Sequence, residues 1–393
     1  MILSIPEPTV HSMMPIANHD EHAREDITVA LKMYLTENVY PSDEAVYENK
    51  AKKKFIKNNG REPQNWSEVH HLMMEEPYTK MWSSMARTLQ EMLWDNQGDI
   101  VEREMPRLKT RAKRNTQVTL GTLTLNPEFK MPRYVDAMDI HAMPGGYQTS
   151  VADDDLFEGA VYDRGAYYYS KGMLGRLGES VTRAVLDVLN KLHTDLKPER
   201  ILDIGCTVGR STLPLAKTWP DAEVHGIDVG AAILRFGHAR AEGLSTAVHF
   251  SQQNAEKTNF PDDYFDLVVS TGFFHETSAK GARNIVKEMF RILRPGGVVL
   301  NQDIPYGGQY NLHEQFMLNW DCYFNAEPFW QQWTSWDRKE FMSWGGFKPG
   351  NIFQFWADRD QDGKIKLRQA AKDKDCSSTR GGLGRLQFFG AVK

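Results

Sequence analysis

Apolar and polar positions change rhythm along the chain. From the N-terminus to about Asn115 they recur at helical spacing. Ile27, Leu31, Tyr34 and Leu35 form one stripe, and Trp82, Met85, Leu89, Met92 and Leu93 another. Asn65 with Glu68 is a capping pair that predicts a helix opening at Trp66. Pro41, Gly60, Pro63 and Pro77 separate these segments. Past Asn115, residues 117–125 alternate and carry β-branched side chains, which predicts a strand pair or an extended link. Met143-Pro144-Gly145-Gly146-Tyr147 reads as a turn. An acidic patch at 153–155 precedes an amphipathic helix expected over about 174–192.

From residue 200 the pattern becomes strand, turn and helix, repeated. Strands are expected at 201–204, 223–228, 247–251, 265–270 and 297–303. Helices are expected from about Arg210, at 231–242 and at 279–293, with Pro214 acceptable in a first turn. Such alternation implies a parallel sheet covered on both faces, whose ligands sit beyond the carboxyl ends of the strands. Runs at 351–357 and 386–392 suggest a closing antiparallel pair. The expected architecture is α/β: a Rossmann-like, mostly parallel sheet with an antiparallel last strand, preceded by a mainly helical N-terminal domain. The boundary is placed near residue 150, giving domains 1–150 and 151–393, with an aromatic-rich cap at about 305–350.

Composition narrows the class. Hydrophobic residues at 41% and charged residues at 25% suit a soluble globular protein. No apolar run approaches the roughly 20 residues that span a bilayer. The first residues lack a basic region followed by an apolar one, so secretion is not expected. Cys206, Cys322 and Cys376 are odd in number and scattered. They suggest neither a disulfide framework nor a metal knuckle, and a cytoplasmic location fits. A net charge of −5 gives no global pull toward nucleic acid or anionic membrane. The basic runs at 50–57 and 107–114 read as solvated helix faces.

Candidate chemistry centres on Asp203-Ile204-Gly205-Cys206-Thr207-Val208-Gly209, which closes a strand and opens a helix. Gly205 permits a sharp turn and close approach of a ligand to the backbone, and Gly209 permits tight helix packing. Asp228 ends the next strand, where an acid accepts hydrogen bonds from both ribose hydroxyls of an adenine nucleoside. A dinucleotide fingerprint has a middle glycine where Thr207 stands. Asp203 is ill-placed beside a pyrophosphate and suits an ammonium, directly or through water.

This stretch resembles the type-11, ubiquinone/menaquinone-biosynthesis branch of the class I S-adenosylmethionine-dependent methyltransferases. Asp203 to Gly209 matches the first motif and Asp228 the ribose-binding acid. Gln253-Asn254-Ala255-Glu256 with Phe260-Pro261 matches the third-strand motif. Asn254 stands where an aspartate usually holds the adenine amino group, and an amide oxygen also accepts from N–H. Phe265 to Val268 and Leu293-Arg294-Pro295-Gly296-Gly297 match the fourth strand and the turn before the fifth. Tyr162-Asp163, Ala166, Ser170 and Gly172 resemble the motif that covers the methionine end. The resemblance spans about residues 160–300. It implies S-adenosylmethionine as cofactor, S-adenosylhomocysteine as product and no required metal. The implied cofactor contacts are Tyr162, Tyr168, Asp203, Gly205, Cys206, Thr207, Gly209 and Ser211, then Asp228, Val229, Asn254, Ala255 and Glu256, then Ser270, Thr271 and Gly272.

Methyl transfer is an in-line displacement in which alignment is worth about 7–11 kcal/mol. A base helps an acceptor that must lose a proton. Candidates past the strand ends are His275 and Glu276, then Asp303, Tyr306, Tyr310, His313 and Glu314. Aromatic side chains crowd residues 316–356. Most are expected to build a cap core, and two or three to line a pocket for a flat apolar acceptor or a cationic amine. A small-molecule acceptor is therefore expected, with the N-terminal domain serving as lid or homodimer interface. The alternatives are a methyltransferase that uses the N-terminal domain to bind RNA or protein, and a silent cofactor-binding module. Nucleic acid and membrane are not expected partners. Asp303-Ile304-Pro305-Tyr306 differs in position and composition from the D-P-P-Y signature of DNA methyltransferases. No histidine follows His275-Glu276 or His313-Glu314 at zinc spacing, and the adjacent His70 and His71 point to different faces. Asp358-x-Asp360-x-Asp362-Gly363 begins like a calcium loop, but Gln369 stands where a glutamate is needed, so a polar hairpin loop is expected.

Overall fold

In the computed structural model, residues 5–359, 365–368 and 386–393 are described. Asp360 to Gly363 of the calcium-like loop, Gln369 and Cys376 lie outside them. The nine strands are β1 (Thr122–Thr124), β2 (Arg200–Ile204), β3 (Glu223–Asp228), β4 (His249–Gln252), β5 (Phe265–Thr271), β6 (Leu293–Asp303), β7 (Ile352–Arg359), β8 (Ile365–Arg368) and β9 (Leu386–Val392). They form one sheet in the order β1-β4-β3-β2-β5-β6-β9-β7-β8. Pairing is parallel from β1 to β6. It is antiparallel where β9 inserts between β6 and β7, and between β7 and β8. The 117–125 segment supplies only the short edge strand β1.

The central strands are apolar on both faces, as a doubly covered sheet requires. One face packs Ile201, Val224, Leu267, Val269 and Leu300 against Val185, Val188 and Leu189 of the helix Ser180–Leu192. The other packs Leu202, Ile204, Val268 and Val299 against Ile285 and Met289 of the helix Ala279–Ile292, with the cap residues Trp333 and Phe341. The helix expected from Leu174 begins at Ser180, because Gly172, Gly175 and Gly178 all take positive φ and break the preceding turns.

The N-terminal helices are built onto this sheet. The 39-residue helix Pro77–Asn115 shares a core with the helices Phe157–Tyr169 and Ala231–Gly243, through Leu93, Trp94, Val101 and Leu108 against Val161, Tyr168, Ile233 and Phe236. Gly165 lets two of these helices touch, since a Cβ there would stand 2.3 Å from Trp94 Cζ3. Asn65 caps the helix Trp66–Met73, its side chain accepting the Glu68 N–H at 3.0 Å.

The first helix, His19–Tyr34, turns most of its expected stripe outward: Ile27, Leu31 and Tyr34 are 57%, 40% and 56% exposed, and Leu35, just beyond its end, is buried. Its buried side carries Glu21, Glu25, Thr28 and Val29. The reason is Arg164, whose Nε and Nη2 each donate to a Glu25 oxygen at 2.7 Å, while Gln97 Nε2 donates to Glu25 Oε1 at 2.9 Å. In the second stripe Trp82, Leu89 and Leu93 are buried, and Met85 and Met92 are exposed. Within the basic runs, Lys50 pairs with Glu76, Lys54 with Glu75, Arg107 with Glu104 and Lys109 with Asp154. Among the described residues no helix is long and apolar enough to cross a membrane.

Candidate active site

A cavity of about 620 Å³ opens beyond the carboxyl ends of β2, β3 and β5 and runs to the N-terminal helices. Gly205, at φ +70°, makes the turn after β2, and a Cβ on it would lie 2.4 Å from Phe273 Cδ2. Thr207 N–H donates to Asp228 Oδ2 at 3.0 Å, and Gly230 N–H donates to Asp228 Oδ1 at 3.1 Å. Burial pushes the Asp228 carboxyl up to about 6. Of the expected cofactor contacts, Tyr162, Gly205, Thr207, Ser211, Asp228 and Val229 line the cavity, as do Asn254, Ala255, Thr271 and Gly272.

The other expected contacts stand off the wall. Tyr168 packs in the helical core with its hydroxyl 3.2 Å from Arg164 Nη2, and the helix presents Tyr169 to the cavity instead. Cys206 is buried with its thiol toward Gly226, and Gly209 abuts Leu213 and Phe250. Glu256 accepts from Asn284 at 2.7 Å, and the Ser270 hydroxyl donates to Asn301 at 2.7 Å. Asp203 lies behind Ser211 and Thr212, whose hydroxyls donate to its Oδ2 at 2.7 and 2.6 Å. Its Oδ1 is buried without a partner, and burial pushes its carboxyl up to about 6.

That orphaned oxygen, the glycine cradle and the Asp228 carboxylate fit an adenosyl sulfonium with its ammonium and ribose hydroxyls. Arg210, which sequence reasoning missed, lines the same crevice and donates to the Asp163 carbonyl. Asp163 itself is buried against His11 at 2.9 Å and Arg240 at 3.3 Å. Burial opposes its charge, but Arg240, the His11 contact and Arg210 hold it well below the usual carboxylate range.

Beside this crevice, two carboxylate-backed imidazoles converge on Glu276. His275 Nδ1 is 2.6 Å from Asp303 Oδ1, and its Nε2 is 3.7 Å from Glu276 Oε1. His141 Nδ1 is 2.5 Å from Glu327 Oε1, and its Nε2 is 3.1 Å from the same Glu276 oxygen. Tyr147 OH donates to that oxygen at 3.2 Å. Burial opposes protonation of His275, but Asp303 outweighs it and raises the imidazole to about 9. His141 is likewise raised, against burial, by Glu327 and Glu276. Among the described residues, donor atoms of His141, His275, Glu276 and Glu327 lie within 4.8 Å of one another, a spacing that could hold a metal ion.

His275, Glu276, Tyr310, His313 and Glu314 line the cavity, and Asp303 and Tyr306 do not. Asp303 stands behind His275, in contact with its Nδ1. Tyr306 is tied by its backbone N–H to Gln387 at 2.7 Å. His313 is on the wall but held 3.0 Å from buried Asp43, which also accepts from Thr79 and Trp82. Glu314 is the return half of a capping box with Asn311. Of the cap aromatics Trp320, Phe324 and Trp330 reach the cavity, whereas Trp333, Phe341 and Phe347 fill the core. Sequence reasoning missed His141, Glu327 and Asp321, and it missed Lys32, Gln90 and Lys171. No local motif marks them, because the fold assembles them from distant segments.

Residues 201–297 match the family model described as a methyltransferase domain. The chain carries a methyltransferase domain at these residues. Phosphoethanolamine N-methyltransferase 3 of Arabidopsis thaliana is 30% identical over 136 residues, covering 34% of this chain and 26% of that protein. The ubiquinone/menaquinone biosynthesis C-methyltransferase UbiE of Nitrosospira multiformis is 41% identical over 104 residues, covering 26% of this chain and 41% of that one. A solved S-adenosylmethionine-dependent methyltransferase from Methanosarcina mazei is similar at 21% identity and a TM-score of 0.36, over 51% of this chain and 97% of its own. The chain spans about a quarter to a half of the length of the curated relatives it matches.

Proposed function

We propose that this chain transfers the methyl group of S-adenosylmethionine to a small-molecule acceptor. The observation that carries this reading is the continuity of one cavity. It runs from Asp228 and Gly205 past Glu276 and His275 to Trp82 and Gln90 of the helix Pro77–Asn115. The cofactor supplies an electrophilic methyl group on a sulfonium. Asp228 holds its ribose hydroxyls, the Gly205 turn brings backbone beside it, and Asp203 favours its ammonium through Ser211 or water. Tyr162, Trp330 and Tyr169 exclude water and fix the acceptor against the reacting atom, which is the main source of rate in an in-line displacement.

Glu276 is the proton acceptor in this reading. His275, raised to about 9 against burial by Asp303, is an imidazolium at neutral pH, and its charge, 3.7 Å from Glu276, orients that carboxylate electrostatically. Residues 1–150 supply the acceptor-side wall and 151–393 the methyltransferase domain; dimerisation through the N-terminal part is a secondary role. The buried free thiol of Cys206 suits a reducing cytoplasm. The continuity of the cavity between the cofactor crevice and the N-terminal helices favours a small acceptor over RNA or protein.

The test is calorimetric binding of S-adenosylhomocysteine together with methyl transfer from labelled cofactor to a panel of small amines, alcohols and thiols. Saturable binding and transfer to a member of the panel are expected. Absence of cofactor binding, or transfer to protein or RNA alone, rejects the reading.

A further inference from the structure

The acceptor end of the cavity contains two lysines that the chemistry above does not use. Lys32 comes from the helix His19–Tyr34 and Lys171 from the turn after the helix Phe157–Tyr169, and both line the wall. Lys32 Nζ donates to Gln90 Oε1 at 2.9 Å and to the Tyr169 carbonyl at 3.4 Å. Lys171 Nζ donates to the Thr36 hydroxyl at 3.0 Å. All three acceptors are neutral. Asp321 and Glu37 act on these cations only at longer range, and among the described residues neither lysine forms an ion pair. Burial, with the Lys171 charge adding to it, lowers Lys32 to about 7, and burial lowers Lys171 as well. Two like charges drawn from water without an anion are costly, and an anionic ligand relieves both costs.

Their position relative to the reaction centre is set by one side chain. Lys32 Nζ sits 4.6 Å from the centroid of the Tyr169 ring. The same ring lies 5.3 Å from that of His141, which contacts Glu276. Lys32 and the His141 that contacts Glu276 therefore both lie against Tyr169.

We propose that Lys32 and Lys171 form an anion subsite, and that the acceptor is a small molecule carrying a carboxylate or phosphate-type group separated from its methylated atom by about the breadth of Tyr169. The carboxylates and aromatic rings at the other end receive the reacting group, and the lysine pair sets which molecules enter. The proposal rests on the methyltransferase reading of the same cavity. It assigns substrate selection to the N-terminal segment, outside residues 201–297.

The test uses the full chain saturated with S-adenosylhomocysteine. Inorganic phosphate and acetate are titrated separately at constant ionic strength made up with chloride, with binding followed by calorimetry. Saturable binding of at least one anion is expected. Lys32→Met and Lys171→Met should each raise its dissociation constant at least tenfold, and Lys32→Arg should stay within about threefold of the unaltered protein. The tighter anion identifies the group. No saturation by either anion, or unchanged affinity in both methionine variants, overturns the subsite.

S-adenosylhomocysteine affinity is measured in the same samples. Its retention with loss of anion binding separates failure of the subsite from failure of the methyltransferase reading. If a variant does not fold, the unaltered protein is acylated with and without the anion and read residue by residue by mass spectrometry. Protection of Lys32 and Lys171 by at least fivefold is expected, and equal rates overturn the proposal.

Discussion

Nδ1 of His275 lies 2.6 Å from Oδ1 of Asp303, where β5 and β6 end side by side. Asp303 Oδ2 also accepts the N–H groups of Phe273 and Phe274 at 3.1 and 2.7 Å. The carboxylate thus fixes both the turn and the ring, with Nε2 turned toward Glu276. Burial opposes the imidazolium, but Asp303 raises it to about 9 from the ordinary 6.5.

This pair makes stability depend on pH with a definite sign. A histidine whose folded value is raised contributes fully below its unfolded value and loses that contribution as pH rises through the folded one. The contribution, about 3 kcal/mol at most by linkage, should be complete below pH 6.5 and fade by about pH 9. His275→Gln should remove this part of the slope. Urea unfolding at pH 6 and pH 9.5 checks it; identical slopes in the two proteins count against the assignment.

Asp228 should govern cofactor affinity in the opposite pH range. Its carboxyl and that of Asp203 are each pushed up to about 6 by burial, so in the ligand-free fold both hold protons above their ordinary values. Their burial lowers native stability as pH rises from the unfolded value toward 6. Ribose hydroxyls and an ammonium favour the ionised forms, so binding releases protons. S-adenosylhomocysteine should bind about tenfold more weakly at pH 5 than at pH 7 for each group that must ionise. Asp228→Ala should cost about 1.5–3 kcal/mol of binding at pH 7. Calorimetry in buffers of different ionisation enthalpy reads both effects, and an unchanged affinity for the variant would remove Asp228 from the site.

The sheet and the cofactor crevice were legible because their signals are local. A short apolar run, a glycine turn and an acid at the next strand tip lie close in sequence, and Gly205, Thr207 and Asp228 fall on one wall. Tyr168 was misread by one position. Successive helical residues face about 100° apart, and only the packing against Trp94 and Arg164 decides that Tyr169 faces the cavity. Ile27 and Leu31 were misread because a buried ion pair, Glu25 with Arg164, outranks their stripe in orienting the helix. Glu327, His141 and Lys32 converge from three distant segments, and no periodicity or spacing encodes such a meeting.

Gly205→Ala should impair both the turn and the site. The residue sits at φ +70°, and the new methyl would meet the Phe273 ring at 2.4 Å. The left-handed backbone costs a non-glycine residue about 1–2 kcal/mol, and overpacking adds about 1–3 kcal/mol. A lower unfolding midpoint and at least tenfold weaker S-adenosylhomocysteine binding are expected. Pairing the change with Phe273→Ala should recover the steric part and leave the backbone part. Recovery to the unaltered affinity would show that conformation at Gly205 is unimportant.

Arg164 and Glu25 should behave as a coupled buried pair that ties the first helix to the helix Phe157–Tyr169. Each guanidinium bond is 2.7 Å, Arg164 Nη1 also donates to the Pro15 carbonyl at 3.0 Å, and both side chains are almost fully buried. Arg164→Met removes the cation and leaves Glu25 with Gln97 and His22 as its hydrogen-bonding neighbours. Breaking such a pair from one side costs about 3–5 kcal/mol, largely because a charge remains buried. Arg164→Met with Glu25→Gln removes that charge, so the double variant should be less destabilised than the sum of the two single variants. Denaturant unfolding of the four proteins measures the coupling. Strict additivity would mean that the two residues do not share their stabilisation, and that apolar contacts alone hold the helix His19–Tyr34 in place.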